Sequence, residues 1–156
     1  LAGFNQDVEK LVASGQSAHL CLVSIRNFNN VNVLFGRERG DHILKSFANG
    51  FSRHVSNGKV YRVGGCKFAF MTDSVETGET VLNDTWEYVF TTLSSEEKNF
   101  SLPVDSVFIG FPRFAATAET LLINAEYKLK MNTDSEYGKQ FVFNDHDLRM
   151  MDAVSS

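Results

Sequence analysis

Apolar residues recur along this chain with two alternating periods, and the alternation sets out an order of elements. Phe4, Val8, Leu11 and Val12 are spaced as one face of a helix over Phe4–Ala13, and Ser14-Gly15 ends it. Ala18–Ile25 is a short continuous apolar run suited to a buried central strand. Two helices are predicted next, Asn27–Leu34 and Arg37–His54, the second with Ile43, Leu44, Phe47, Phe51 and Val55 as its stripe. Ser56-Asn57-Gly58 reads as a turn. Lys59–Val63 and Phe68–Met71 then alternate as two strands around Gly64-Gly65, which predicts a tight hairpin with glycines at positive φ.

The second half repeats the logic with longer connections. Gly78–Leu93 carries Val81, Leu82, Trp86, Val89 and Phe90 at helical spacing, and Ser94–Asn99 is a polar connection. Val104–Phe111 is a strand stopped by Pro112. Ala116–Met131 is helical with Leu121, Leu122, Ala125 and Leu129 inward; a loop over Thr133–Gly138 leads to a last strand, Gln140–Phe143, and Asn144 or Asp145 caps a short final helix. This order predicts an α+β domain with a mixed, mainly antiparallel central sheet flanked by helices, built around a split βαβ unit.

Composition narrows the function classes. The 156 residues are 43% hydrophobic, enough for one domain with a real core and no second one. The net charge of −4 is scattered in both signs, so no basic footprint points to nucleic acid. Cys21 and Cys66 form no metal-ligand spacing and fit reduced thiols of a cytoplasmic compartment. The longest apolar stretch, His19–Ile25, is too short to cross a bilayer, so no direct membrane contact is expected. A start at Leu1 suggests a piece of a longer chain, compatible with a membrane anchor elsewhere in the parent. The histidines, His19, His42, His54 and His146, stand apart without ligand or nucleophile-base spacing.

Three strings carry candidate chemistry: Ser24-Ile-Arg-Asn-Phe-Asn-Asn-Val-Asn32, Phe35-Gly-Arg-Glu-Arg-Gly-Asp41 and Arg62-Val-Gly-Gly-Cys-Lys-Phe68. Together they resemble the GGDEF family, the diguanylate cyclases, over nearly the whole chain, from Phe4 to Phe143. The resemblance implies a ferredoxin-like palm, and a domain pair that joins two GTP molecules into cyclic di-GMP with magnesium at the hairpin. In that family an aspartate ends the first strand and two acidic residues follow the glycines. Those positions hold Ser24, Cys66 and Lys67 here. Magnesium needs hard oxygen ligands, so a hydroxyl and a thiol are poor replacements, and Lys67 adds a cation. Losing the ions removes several kcal/mol of transition-state stabilisation, where about 1.4 kcal/mol is tenfold in rate. Cys66 and Lys67 equally suit a small strand residue and a solvated edge lysine.

Base recognition is better kept. The resemblance assigns guanine reading to Asn32 and Asp41, and an amide with a carboxylate suits the guanine edge, although both residue types also suit helix ends. Phe28-Asn29 stands where the family has a phenylalanine-lysine pair, so the backbone turn at Phe28 is expected to survive without the cation, and Gly64 and Gly65 are counted with it as nucleotide-binding residues. Lys128, Lys130, Thr133 and Gly138-Lys139 face the family's terminal lysine and Gly-Arg-Asn motif; Lys139 or Lys130 could reach a phosphate, although both fit solvated surface lysines better. Val55-Ser-Asn-Gly58 lacks both charges of the family's inhibitory RxxD motif.

The expectation is a catalytically inactive GGDEF-type domain without a catalytic or metal residue of its own, with GTP as a ligand and magnesium weak or absent. It would act as a nucleotide-sensing or protein-interaction module of bacterial cyclic di-GMP signalling. Its partners would be GTP and either a neighbouring domain of the parent, for which an EAL-type phosphodiesterase is suited, or a second copy in a homodimer. Residues 1–156 would be one domain, with 145–156 as a linker helix resembling the link that precedes EAL domains. Two alternatives stay open: a residual cyclase using Glu38 or Asp41 in place of the lost ligands, and a purely structural dimerisation domain.

Overall fold

A computed structural model describes residues 2–132 and 137–155. Its elements run α1 (Ala2–Ala13), β1 (Ala18–Ile25), α2 (Phe28–Phe35), α3 (Arg37–His54), β2 (Tyr61–Gly64), β3 (Lys67–Thr72), α4 (Val75–Thr92), α5 (Ser95–Lys98), β4 (Val104–Phe111), α6 (Ala118–Leu129), a 3-10 turn (Lys130–Asn132), β5 (Gln140–Val142) and α7 (Asp145–Ser155). The five strands form one sheet in the order β2-β3-β1-β4-β5. β1 lies antiparallel to both β3 and β4, and only β4 and β5 run parallel. The mixed, mainly antiparallel α+β sheet of the sequence reading is therefore observed.

Two cores cover the two faces. Cys21, Val23 and Ile25 of β1 pack with Ile43, Phe47, Phe51, Phe68, Phe70, Val81 and Phe108 under α2, α3 and α4. Leu20 and Leu22, pointing the other way, pack with Phe4, Val8, Val107, Ile109 and Leu121 under α1 and α6. Leu148 and Met151 seat α7 on this second core. Among the described residues no helix is long and apolar enough to cross a membrane.

Several boundaries differ from the sequence reading for local reasons. The hairpin turn is Gly65-Cys66, with Gly64 already paired to Lys67 and an irregularity between Arg62 and Gly64. Neither Gly64 nor Gly65 has positive φ; that conformation occurs at Gly15, Gly36 and Gly58. The expectation of positive-φ glycines at this turn is corrected: Gly65-Cys66 makes the reversal, next to a bulge that adds local twist. α4 begins at Val75, before Gly78, because the Ser74 side chain accepts from the Thr77 amide and caps the helix. Gly78 instead is a packing position, where a Cβ would lie 2.2 Å from the Phe108 ring. Trp86 and Phe90, expected in the core stripe, are 39% and 41% exposed.

The polar stretch after α4 holds α5, whose short helix closes on a reciprocal cap between Ser94 and Glu97. Glu97 is buried and takes two hydrogen bonds from Arg39, Nη2 to Oε1 at 2.6 Å and Nε to Oε2 at 2.9 Å. The Arg39 guanidinium foremost, then the Ser94 amide and hydroxyl, hold the Glu97 carboxyl down at about 2 against the opposing effect of burial. A folded-state value below the unfolded 4.5 means that this stabilisation is complete above about pH 4.5 and is lost as pH falls toward 2. Acid titration of unfolding free energy should therefore show Glu97→Gln losing the wild-type slope in that window. With the half-exposed Arg39 discounted for solvent screening, the difference should be on the order of 1 to 2 kcal/mol. Parallel acid curves would show that Glu97 is not paired in solution.

Candidate functional site

The C-terminal end of β1 carries a row of polar side chains. Strand register sets Ser24 beside Lys67 of β3 on one side and Asp105 of β4 on the other. Side-chain alternation turns all three toward α6. There the Lys67 Nζ lies 3.2 Å from Glu126 Oε1. Asp105 is buried and accepts from Arg26 Nε at 2.6 Å and from the Lys139 amide at 2.9 Å. Arg26 Nη2 also donates to the Tyr137 carbonyl at 2.8 Å. Ser24, Arg26, Lys67, Asp105 and Glu126, with Leu129 and Lys130, surround a recess of about 260 Å³.

Cys66 points away from this row. Its side chain packs on the α3 core, its carbonyl accepts from the Ile25 amide at 3.0 Å, and burial pushes its thiol up despite the opposing charges of Arg62 and Lys67. Cys66 thus stands in the turn beside the end of β1, with its side chain on the face of the sheet opposite to that of Ser24.

On the Cys66 side, a larger cleft of about 1100 Å³ opens between α3 and β2. Asp41, Arg37, Glu38, Arg39, His42 and Lys45 line it from α3, and Arg62 from β2. Arg62 donates from Nε and Nη2 to the Gly65 carbonyl at 3.2 and 2.5 Å, tying the cleft wall to the hairpin. Asn32 approaches from α2. Its Oδ1 is buried with no hydrogen-bond partner among the described residues, and sits 1.9 Å from where a Cβ on Gly40 would stand. The bare Gly40 backbone is what lets the Asn32 amide reach α3.

Comparison with known proteins fits this geometry. The family model described as "Diguanylate cyclase, GGDEF domain" matches residues 2–132. This chain belongs to the GGDEF family. It is 37% identical over 68 residues to the protein named "Probable diguanylate cyclase DgcI" of Escherichia coli K12, a match spanning 42% of this chain and 15% of that relative's length. The GGDEF domain of PA1120 (TpbB or YfiN) from Pseudomonas aeruginosa superimposes with a TM-score of 0.70 at 16% identity, covering 97% of this chain and 91% of that one. The GGDEF domain of DgcB from Caulobacter crescentus, solved in complex with c-di-GMP, gives 0.68 at 16% identity, covering 89% and 86%. At such identities these two likenesses speak for the fold alone.

Within the GGDEF fold, the residues singled out from sequence fall into separate places. Asn32 meets α3 at Gly40, the residue before Asp41, while Asp41 and Arg62 line the cleft and Arg62 ties the Gly65 carbonyl to its wall. Phe28 is buried in the α3 core, so only its backbone is left for a ligand. Lys139 sits by β5 at the opposite edge of the sheet from β2, where it borders a groove with α4. Lys128 is committed to the buried Asp147 at 2.8 Å, while Lys130 borders the small recess. Thr133 lies outside the described residues, and among those described no three His, Cys, Asp or Glu side chains converge as a cation-holding group. Glu38 lies in the cleft with Asp41.

Sequence reasoning missed Arg26, Asp105 and Glu126. A signal existed for one of them: Asp105 is a charge inside an otherwise apolar strand, and a buried carboxylate requires a cation.

The packing at Gly40 gives a test of Asn32. Gly40→Ala displaces the Asn32 amide, a movable side-chain end, while alanine gains up to about 1 kcal/mol of helix propensity. The melting temperature should change little, and calorimetric GTP affinity should fall at least fivefold. Unchanged GTP affinity would remove Asn32 from the ligand site.

Proposed function

We propose that this GGDEF domain is catalytically silent and serves as a nucleotide-sensing or interaction module in bacterial cyclic di-GMP signalling. One observation carries the reading: the carboxylates nearest Ser24 are already committed to cations of the chain itself, Glu126 to Lys67 and Asp105 to Arg26. Phosphoryl transfer of this kind depends on metal ions that offset charge on the transferring group. A divalent ion beside Ser24 would have to displace a lysine and an arginine and accept a hydroxyl in place of a carboxylate. Cys66 gives no help, since its side chain is packed on the other face of the sheet.

Guanine recognition in this reading falls to Asp41 and to Asn32, whose buried Oδ1 has no partner among the described residues; a carboxylate with an amide fits an edge offering both donors and an acceptor. In this reading residues 1–156 form one regulatory domain, and α7 continues as the link to a neighbouring domain of a longer cytoplasmic segment. An EAL-type phosphodiesterase or a second GGDEF copy is the partner that suits it.

Incubation of the purified chain with GTP and magnesium, followed by chromatography, should yield no cyclic di-GMP. The variant Cys66→Glu should be equally inactive, because it changes neither Ser24 nor the Lys67–Glu126 pair. Turnover of about one per second or faster by either protein would identify an active cyclase and sink the proposal. Saturable GTP binding without turnover supports the sensing role, and Asp41→Ala should weaken that binding by about 1.5 to 3 kcal/mol. No binding at millimolar GTP would overturn nucleotide sensing and leave a structural domain.

A further inference from the structure

The charges of the α3–β2 cleft are not balanced as they are at the end of β1. Arg37, Asp41 and Lys45 recur at four-residue spacing and so form one stripe of α3, and Arg62 lines the cleft from β2. Arg39 is neutralised by Glu97. Arg37 and Lys45 have no carboxylate within ion-pair distance among the described residues, and Arg62 donates to a neutral carbonyl. The acids facing them are Glu38 and Asp41, so Arg37, Lys45 and Arg62 leave the cleft with excess positive charge. The apolar part of its lining is Phe35, Leu44, Ala48, Val60 and Phe68.

We infer that Lys45 and Arg62, supported by Arg37, form a metal-free phosphate subsite, and that the cleft takes a guanine mononucleotide with its base on Asp41 and its phosphate on these cations. The inference rests on the nucleotide-sensing reading and assigns the ligand class to it. A carboxylate accepts from paired N–H groups and repels phosphate, so Asp41 sorts the two ends of the ligand. Arginine and lysine supply the charge and donors that phosphate requires without an ion. At the end of β1, by contrast, Lys67 and Arg26 are satisfied by Glu126 and Asp105, and a phosphate there would have to displace a carboxylate. The cleft's volume of about 1100 Å³ slightly exceeds the usual range for small-molecule sites, so a mononucleotide fits with room to spare. If one phosphate is enough, additional phosphates and magnesium contribute little.

Calorimetry with GMP, GDP and GTP on the intact chain, each in EDTA and in magnesium, tests this directly. The expected result is affinities within about threefold of one another and insensitive to magnesium. Lys45→Glu, an exposed change on α3, should lower GMP affinity at least tenfold with an unchanged melting temperature, and Arg62→Gln should act in the same direction. Lys130→Ala, in the recess at the end of β1, should leave GMP affinity unchanged. GTP binding at least tenfold tighter than GMP, magnesium dependence, or sensitivity to Lys130→Ala but not to Lys45→Glu would place the phosphates at the β1 end. That result overturns this inference and leaves guanine sensing intact. Failure of all three nucleotides to bind would instead remove the sensing reading itself.

Discussion

Burial of β1 on both faces and along both edges is the constraint from which the rest of the molecule follows. Leu20, Cys21, Leu22 and Val23 are fully buried, so the strand has no solvated face and must be covered by helices above and below. Antiparallel partners on both sides satisfy its backbone groups. Because β1 ends in the middle of the sheet, its last residues share a boundary with β3, β4, α2 and α6. The recess beside Ser24 lies at that end, and the α3–β2 cleft lies across β3 toward the β2 edge of the sheet.

A second regularity concerns charge. Asp105, Glu97 and Asp147 are each buried, and each meets one cation: Arg26, Arg39 and Lys128 respectively. A carboxylate in a low-dielectric interior requires such a partner or loses its charge. The cost is that Arg26 and Lys128 are spent on structure. The half-exposed Lys67–Glu126 pair contributes little to stability by comparison, yet it occupies the space beside Ser24. Electrostatic saturation at one end of the sheet and an excess of cations in the α3–β2 cleft are two results of the same allocation.

The fold was largely legible because its elements follow from periodicity, which is a local property. The strand Val104–Phe111 and the stripe of α3 fall where the apolar spacing puts them. Boundaries slipped where a single contact or irregularity intervened: Ser74 starts α4 before Gly78, Glu97 turns a polar connection into α5, and the hairpin turn falls one residue later, beside a bulge. Such capping and bulging depend on single contacts that leave no periodic trace.

From sequence alone came the α+β order, the GGDEF resemblance and the replacement of acidic residues by Ser24, Cys66 and Lys67, since each depends only on residue type and spacing. Facing and pairing belonged to the tertiary structure. Cys66 and Lys67 are adjacent in the chain, yet Cys66 packs on the α3 core while Lys67 pairs with Glu126 of α6; Lys139 and Asp41, both candidate ligand contacts, line separate grooves. Glu126 meets Lys67 across 59 residues, and Arg26 meets Asp105 across 79. Pairings at that separation are set by sheet order and by how α6 packs on the sheet, which no local pattern encodes.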